Sequence, residues 1–252
     1  MSGPRIQLNN DPNELQPPGE STPNTRKTLH QNIFGKLRPV PLQYHWTVWF
    51  DRHNNPASNA TCTSPSSDSS SNTQSQEQYT SRLTILYEDI ADIASFYRVY
   101  NNYPWDKIRF RDTVHIFRKG VKPVWEDAEN MQGGCWTFRV PKAKGQDFFH
   151  EIAILVMGNE LQAAVESEHD HVLGVSISVR FNTHLISVWN KLGSNERSVK
   201  ILEQTIIDRL SPELRPADNK SYVSSSSYFY KRHADHDGFQ EAVERVKGSE
   251  EE

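Results

Sequence analysis

Cysteine is scarce in this chain, with two among 252 residues. Cys62 and Cys135 have neither CxxC spacing nor the density of a disulfide-stapled secreted scaffold, so both suit a reducing cytosol. Long apolar runs are also missing. None approaches the roughly eighteen residues that cross a bilayer, and the first residues carry no hydrophobic leader segment. No Walker loop, GxSxG or HExxH pattern is present. A dominant charge of one sign is lacking too: the net charge is −4. That argues against a protein coating nucleic acid through phosphate contacts alone, yet leaves open the recognition of one nucleotide in one pocket. The expectation is a soluble, cytoplasmic, monomeric protein that is not an enzyme and needs no cofactor or metal.

Aromatic residues are what the chain does have: six Trp, nine Tyr and eleven Phe. Overall apolar content is only 35%, because polar residues collect in a few places. Residues 1–38 carry five prolines among Asn, Gln, Glu and Ser and are expected to be a disordered arm. A Ser/Asn-rich stretch at 54–78 lies between two strand-like segments and reads as a disordered loop inserted in one domain of residues 39–235. Residues 236–252 form a charged C-terminal tail.

Periodicity places the elements between these breaks. Trp46–Phe50, Leu83–Tyr87, Asp112–Phe117 and Trp136–Val140 are strand-like. The clearest strand is Val175–Arg180, with Val175, Ile177 and Val179 on one face and Ser176, Ser178 and Arg180 on the other. The turn Asn182-Thr183-His184 joins it to Leu185–Trp189 as a hairpin. Helical spacing appears over Asp92–Asn101, over Asp147–Met157 with Gly158 as its stop, and over Glu196–Leu210 with Asn195 as its cap. Hairpin strands with a few helices predict an α+β fold, an antiparallel sheet with helices on one face.

The most informative stretch is Lys122-Pro123-Val124-Trp125-Glu126-Asp127. Alone, a Trp beside a carboxylate in a turn is ordinary packing next to a solvated acid. Its surroundings change that. In order, the chain carries Pro41-Leu42-Gln43, Trp46, Trp49, Gly120 through Asp127, Gly133-Gly134-Cys135-Trp136, Val179-Arg180, Trp189 and Tyr230-x-x-His233-Ala234-Asp235. This ordered set resembles the cap-binding translation initiation factor 4E family over roughly residues 39 to 236. The resemblance implies a single domain with a curved antiparallel sheet of about eight strands and about three helices on its convex face. It also implies capped messenger RNA as ligand, held by Trp125 and Tyr79 on the two faces of 7-methylguanine, Glu126 at the guanine edge and Trp189 near the methyl group. Methylation at N7 makes the base a cation, which gains up to about 2 kcal/mol over a desolvated aromatic face. Each base–aromatic stack adds roughly 1 to 3 kcal/mol, and a carboxylate accepts charge-assisted bonds from the guanine donors.

Arg180 matches the family's phosphate-binding Arg. Arg139 matches a second basic position in the 4E-homologous, repressor-type subgroup. Tyr79 and the segments Ser178–Phe181 and Ile186–Lys191 also resemble that subgroup, although Trp46 stands where it usually has a smaller aromatic. Asn182 and Leu185 fill positions where the initiation factor has Lys, and Cys135 replaces a basic residue, so a weaker grip on phosphate is expected. On the back of the domain, Pro41, Leu42, Ile93, Tyr97, His150, Glu151 and Gly158 map to the surface that takes a Tyr-x-x-x-x-Leu-apolar helix from a partner protein. Tyr97 and His150 replace the usual Trp and Leu, which weakens the case for the 4G scaffold. Two other readings remain: a general initiation factor recruiting that scaffold, and an interaction module that kept the fold without the cap. The runs Glu166 to His171 and His233 to His236 are read as solvated turns rather than metal ligands.

Overall fold

In a computed structural model the described residues are 39–53, 83–216, 227–241 and 243–244. The expected arm at 1–38, the loop at 54–78 and Tyr79 lie outside them. The predicted alternation at 175–180 is realised as β5 (Val172–Val179), which pairs in antiparallel register with β6 (Thr183–Asn190). The other strands are β1 (Pro41–Asp51), β2 (Leu83–Asp92), β3 (Thr113–Arg118), β4 (Gly134–Pro141) and β7 (Tyr228–Arg232). They form one antiparallel sheet in the order β2-β1-β3-β5-β6-β4-β7. The described residues thus hold seven strands, where about eight were expected.

About three helices were expected; the described residues hold α1 (Ile93–Asn102), α2 (Lys142–Met157), α3 (Glu160–Val165) and α4 (Glu196–Arg209), and residues 239–241 and 243–244 are helical as well. Side chains at the N-termini start two of them: Asp92 accepts from the Ser95 amide and Asn195 from the Ser198 amide. Of the unpredicted helices, α3 has six residues, too few for a 3.6-residue period to show. Gly158 does end α2, but with φ −74° rather than in a left-handed turn; Asn159 takes the left-handed conformation. Glycine is needed at 158 because a Cβ would lie 2.7 Å from the Ile154 carbonyl oxygen.

All the helix-side packing is on one sheet face. Trp136, Phe138, Val175, Ile177, Ile186 and Val188 meet Phe148, Ile152 and Val156 of α2 and Leu202 and Ile206 of α4 in one buried cluster. Each such side chain contributes about 1.5–3 kcal/mol by leaving water. At the edge of this core lies Asp170, expected in a solvated turn but fully buried. It accepts from Asn190 Nδ2 at 2.8 Å, the His171 and Leu192 amides at 2.7 and 2.9 Å, and the Ser198 hydroxyl. The Tyr230 hydroxyl donates to Asn190 Oδ1 at 2.8 Å. With four donors the carboxylate can be held out of water, and the network ties β6 and β7 to α4.

Candidate functional site

The strand registers sort the other face of the sheet, turned away from the cluster packed by α2 and α4, into three rows. Residues directly opposite in neighbouring strands share a face, and two-residue steps along a strand return to it. The first row is Cys135, Trp189, Gly174, Phe117 and Thr47. The second is Thr137, Ser187, Ser176, His115 and Trp49, and the third is Arg139, Leu185, Ser178, Thr113 and Asp51. One row is aromatic, the next carries hydroxyls and the third reaches a guanidinium. Adjacent rows lie about 6.6 Å apart along the strands.

The aromatic row has its own small core. Phe117, Val121, Cys135, Leu173 and Trp189 are buried together, and Trp49 and Trp125 pack against them. Trp189 is 7% exposed and meets Phe117 edge-on at 5.2 Å. Burial raises the Cys135 thiol to about 11, so it stays neutral. Trp125 is delivered by the loop between β3 and β4, whose shape depends on two side chains. Asp127 accepts from the amides of Lys122 and Glu129 at 2.9 and 3.0 Å, and fully buried Asn130 donates to the carbonyls of Lys122 and Val124, both at 2.7 Å. Sequence reasoning missed Asn130; the signal available was an Asx residue among turn formers. Glu126 follows Trp125 on this loop, half-buried.

Two histidines join the site unannounced. His236 lies flat on Trp125, with ring centroids 4.3 Å apart and planes 18° apart. His233, expected in a solvated turn, is fully buried and packs on Trp189 at 4.5 Å. Their own rings are 6.4 Å apart. Burial, then His236, lowers His233 to about 3, and burial also lowers His236. In the second row His115 is buried, with Nδ1 2.7 Å from Ser176 Oγ, and burial lowers it to about 3. All three imidazoles therefore favour the neutral form.

At the basic row, Arg180 follows β5 directly and donates to Ser178 Oγ at 2.6 Å. It is half-buried, and desolvation followed by repulsion from Arg111 lowers its pKa. Arg139 is exposed and sits 4.9 Å over the Phe229 ring. Arg139, Leu185 and Ser178 stand side by side, so the two guanidiniums approach the same row from strands about 10 Å apart. Among the described residues no group of three or more His, Cys, Asp or Glu is placed to hold a metal. No helix among them is long and apolar enough to cross a membrane.

On the helix side, α1 and α2 present an aromatic patch. His150 packs against Tyr97 at 5.7 Å, Tyr100 at 4.8 Å and Phe96 at 6.2 Å. Ile93 is 42% exposed beside them, and the β1–β2 register places Pro41 opposite Asp92, next to it. Leu42 is half-buried and Gly158 exposed. Glu151 is engaged within the chain, accepting from the Ser211 amide at 2.9 Å and hydroxyl at 2.5 Å.

Residues 41–245 match the family model described as eukaryotic initiation factor 4E. The chain belongs to the eukaryotic initiation factor 4E family. Within the family it is similar to the translation initiation factor NCBP of Arabidopsis thaliana, 27% identical over 195 residues that cover 75% of this chain and 77% of that one. Against NCBP of rice it is 34% identical over 121 residues, 46% of this chain and 51% of the relative, so that match spans about half of the relative's length. The fold is that of eIF4E-3 from C. elegans, solved with the 4E-binding protein Mextli and a cap analog (TM-score 0.59, 18% identity, covering 79% of this chain and 95% of that one). It is also that of Ascaris suum eIF4E-3, solved with an m2,2,7G cap (TM-score 0.58, 19% identity, covering 79% and 94%).

Proposed function

We propose that this chain binds the 7-methylguanosine cap of messenger RNA and regulates translation without catalysing a reaction. The observation that carries the reading is the row order on this face: aromatic rings, then hydroxyls, then guanidiniums. A capped end presents a cationic base, a sugar and a phosphate chain in the same order. Trp125 would stack the base, Glu126 accept from its edge, Trp189 meet the methyl group, and Arg180 with Arg139 face the phosphates. Tyr79 is proposed for the second stacking face. Family membership and the cap-bound state of the two nematode neighbours support the reading.

The small number of cations supports the repressor or specialised role. Leu185 stands in the basic row beside Arg139, and Cys135 is a buried neutral thiol in the aromatic row. A phosphate chain gripped by two guanidiniums exchanges readily, which suits regulation better than bulk initiation. The aromatic patch of α1 and α2 is proposed to take a partner's amphipathic helix. Tryptophan quenching by 7-methylguanosine triphosphate and by plain guanosine triphosphate tests the ligand: at least tenfold preference for the methylated form is expected, and equal affinities would reject it.

A further inference from the structure

We infer that His236 is an intramolecular occupant of the base site: in the free protein its imidazole takes the Trp125 face that a nucleobase needs, and it must swing away for the base to stack. The inference rests on the cap reading above.

Three observations point to it. The first is geometry. A separation of 4.3 Å with planes 18° apart is how a base would lie on the indole. The rings then run on without a break, from Trp125 to His236, His233, Trp189 and Phe117. The space between the two tryptophans assigned to the base is thus bridged by the protein's own imidazoles.

The second observation is that this packing is poised rather than optimal. Both ring nitrogens of His233 are buried without a hydrogen-bond partner, as is Nε1 of Trp189. Buried polar atoms without partners oppose the arrangement that buries them. Moving His236 out forfeits one stack but lets water or ligand reach the His233 nitrogens. The unpartnered nitrogens lower the cost of opening, as a displaceable plug requires.

The third observation is mechanical. His236 sits between two fixed points: fully buried His233, whose amide donates to the Gly133 carbonyl at 3.0 Å, and Phe239, 6% exposed. Between them Gly238 has φ +81°, a conformation open to glycine at little cost, and a Cβ there would meet nothing closer than Glu241 Oε2 at 3.8 Å. The segment can change its backbone at 237–238 while the side chains of both anchors stay buried, at the cost of the bond from the Phe239 amide to the His236 carbonyl at 3.1 Å.

The test uses the full chain and 7-methylguanosine triphosphate. In the free protein the His236 ring protons should resonate upfield, shifted by the indole, and should return downfield on saturation with the methylated nucleotide. His236→Ala should bind that nucleotide roughly two- to tenfold more tightly than the parent, the value of one aromatic stack. His236→Phe, which retains a ring, should show no gain. An imidazole that stays upfield in the saturated complex, or an alanine variant that binds no better than the parent, overturns the proposal and leaves the cap reading standing. No binding by either parent or alanine variant overturns the cap reading and this proposal with it.

Discussion

Trp125 is the residue on which ligand affinity should turn. It gives one face to a stack worth roughly 1 to 3 kcal/mol, so Trp125→Ala should weaken binding of 7-methylguanosine triphosphate by about five- to a hundredfold while thermal unfolding shows the fold intact. The buried histidines make a separate prediction about stability. His115 and His233 are lowered to about 3 in the folded chain, against an ordinary value of 6.5. Above pH 6.5 both are neutral whether folded or not, and their contribution is fully present. As pH falls from 6.5 toward 3 the unfolded chain binds protons that the folded chain refuses. Stability should then drop with a slope approaching about 1.4 kcal/mol per pH unit for each imidazole. Urea midpoints at pH 7 and pH 5 read the effect directly, and a His115→Gln, His233→Gln double variant should flatten it.

Among elements, the β3–β4 loop decides whether Trp125 is presented at all. Asn130 bonds two carbonyls of that loop with one amide nitrogen, so Asn130→Ala should cost about 1–3 kcal/mol. It should also weaken cap binding although residue 130 lies five positions from the tryptophan; melting and nucleotide titration of the same sample check both. Asparagine among Asp127, Glu129, Gly133 and Gly134 marks a turn in the sequence, but not which carbonyls it serves. Local pattern did give the β5–β6 hairpin and the cap at Asn195, because each depends on neighbours within a few positions. It missed α3, which is too short to show a period, and β7, whose Tyr228-Phe229-Tyr230 has strand propensity but follows a serine run and pairs with β4, ninety residues earlier.

For the molecule as a whole, the two faces of the sheet should act as independent sites, with the core between them. Tyr97→Ala should abolish binding of a Tyr-x-x-x-x-Leu-apolar helix yet leave nucleotide affinity unchanged, which paired titrations with peptide and cap analogue would show. Nucleotide binding on the face opposite the helices should respond to salt only modestly. With two guanidiniums assigned to phosphate, log affinity against log salt should fall with a slope of about −1.4, and Arg180→Ala should make it shallower by about 0.7. An unchanged slope in that variant would place the phosphates elsewhere.

The sequence by itself determined the chemistry on offer and most of the local structure: aromatic and basic residues at fixed intervals, alternating strands, a capped helix, two widely spaced cysteines and no long apolar run. These depend on side-chain type and on periods of 2 and 3.6, both written in the chain. Only the tertiary structure decided which residues meet. Asp170 and His233 read as solvated because each lies among polar residues, and burial depends on what the sheet brings over them. Cys135, Trp189 and Phe117 became neighbours through strand pairing across tens of residues, and His236 came to rest on Trp125 because β7 lies beside β4. Contacts between distant segments reflect the packing of the whole sheet, which no short window of sequence contains.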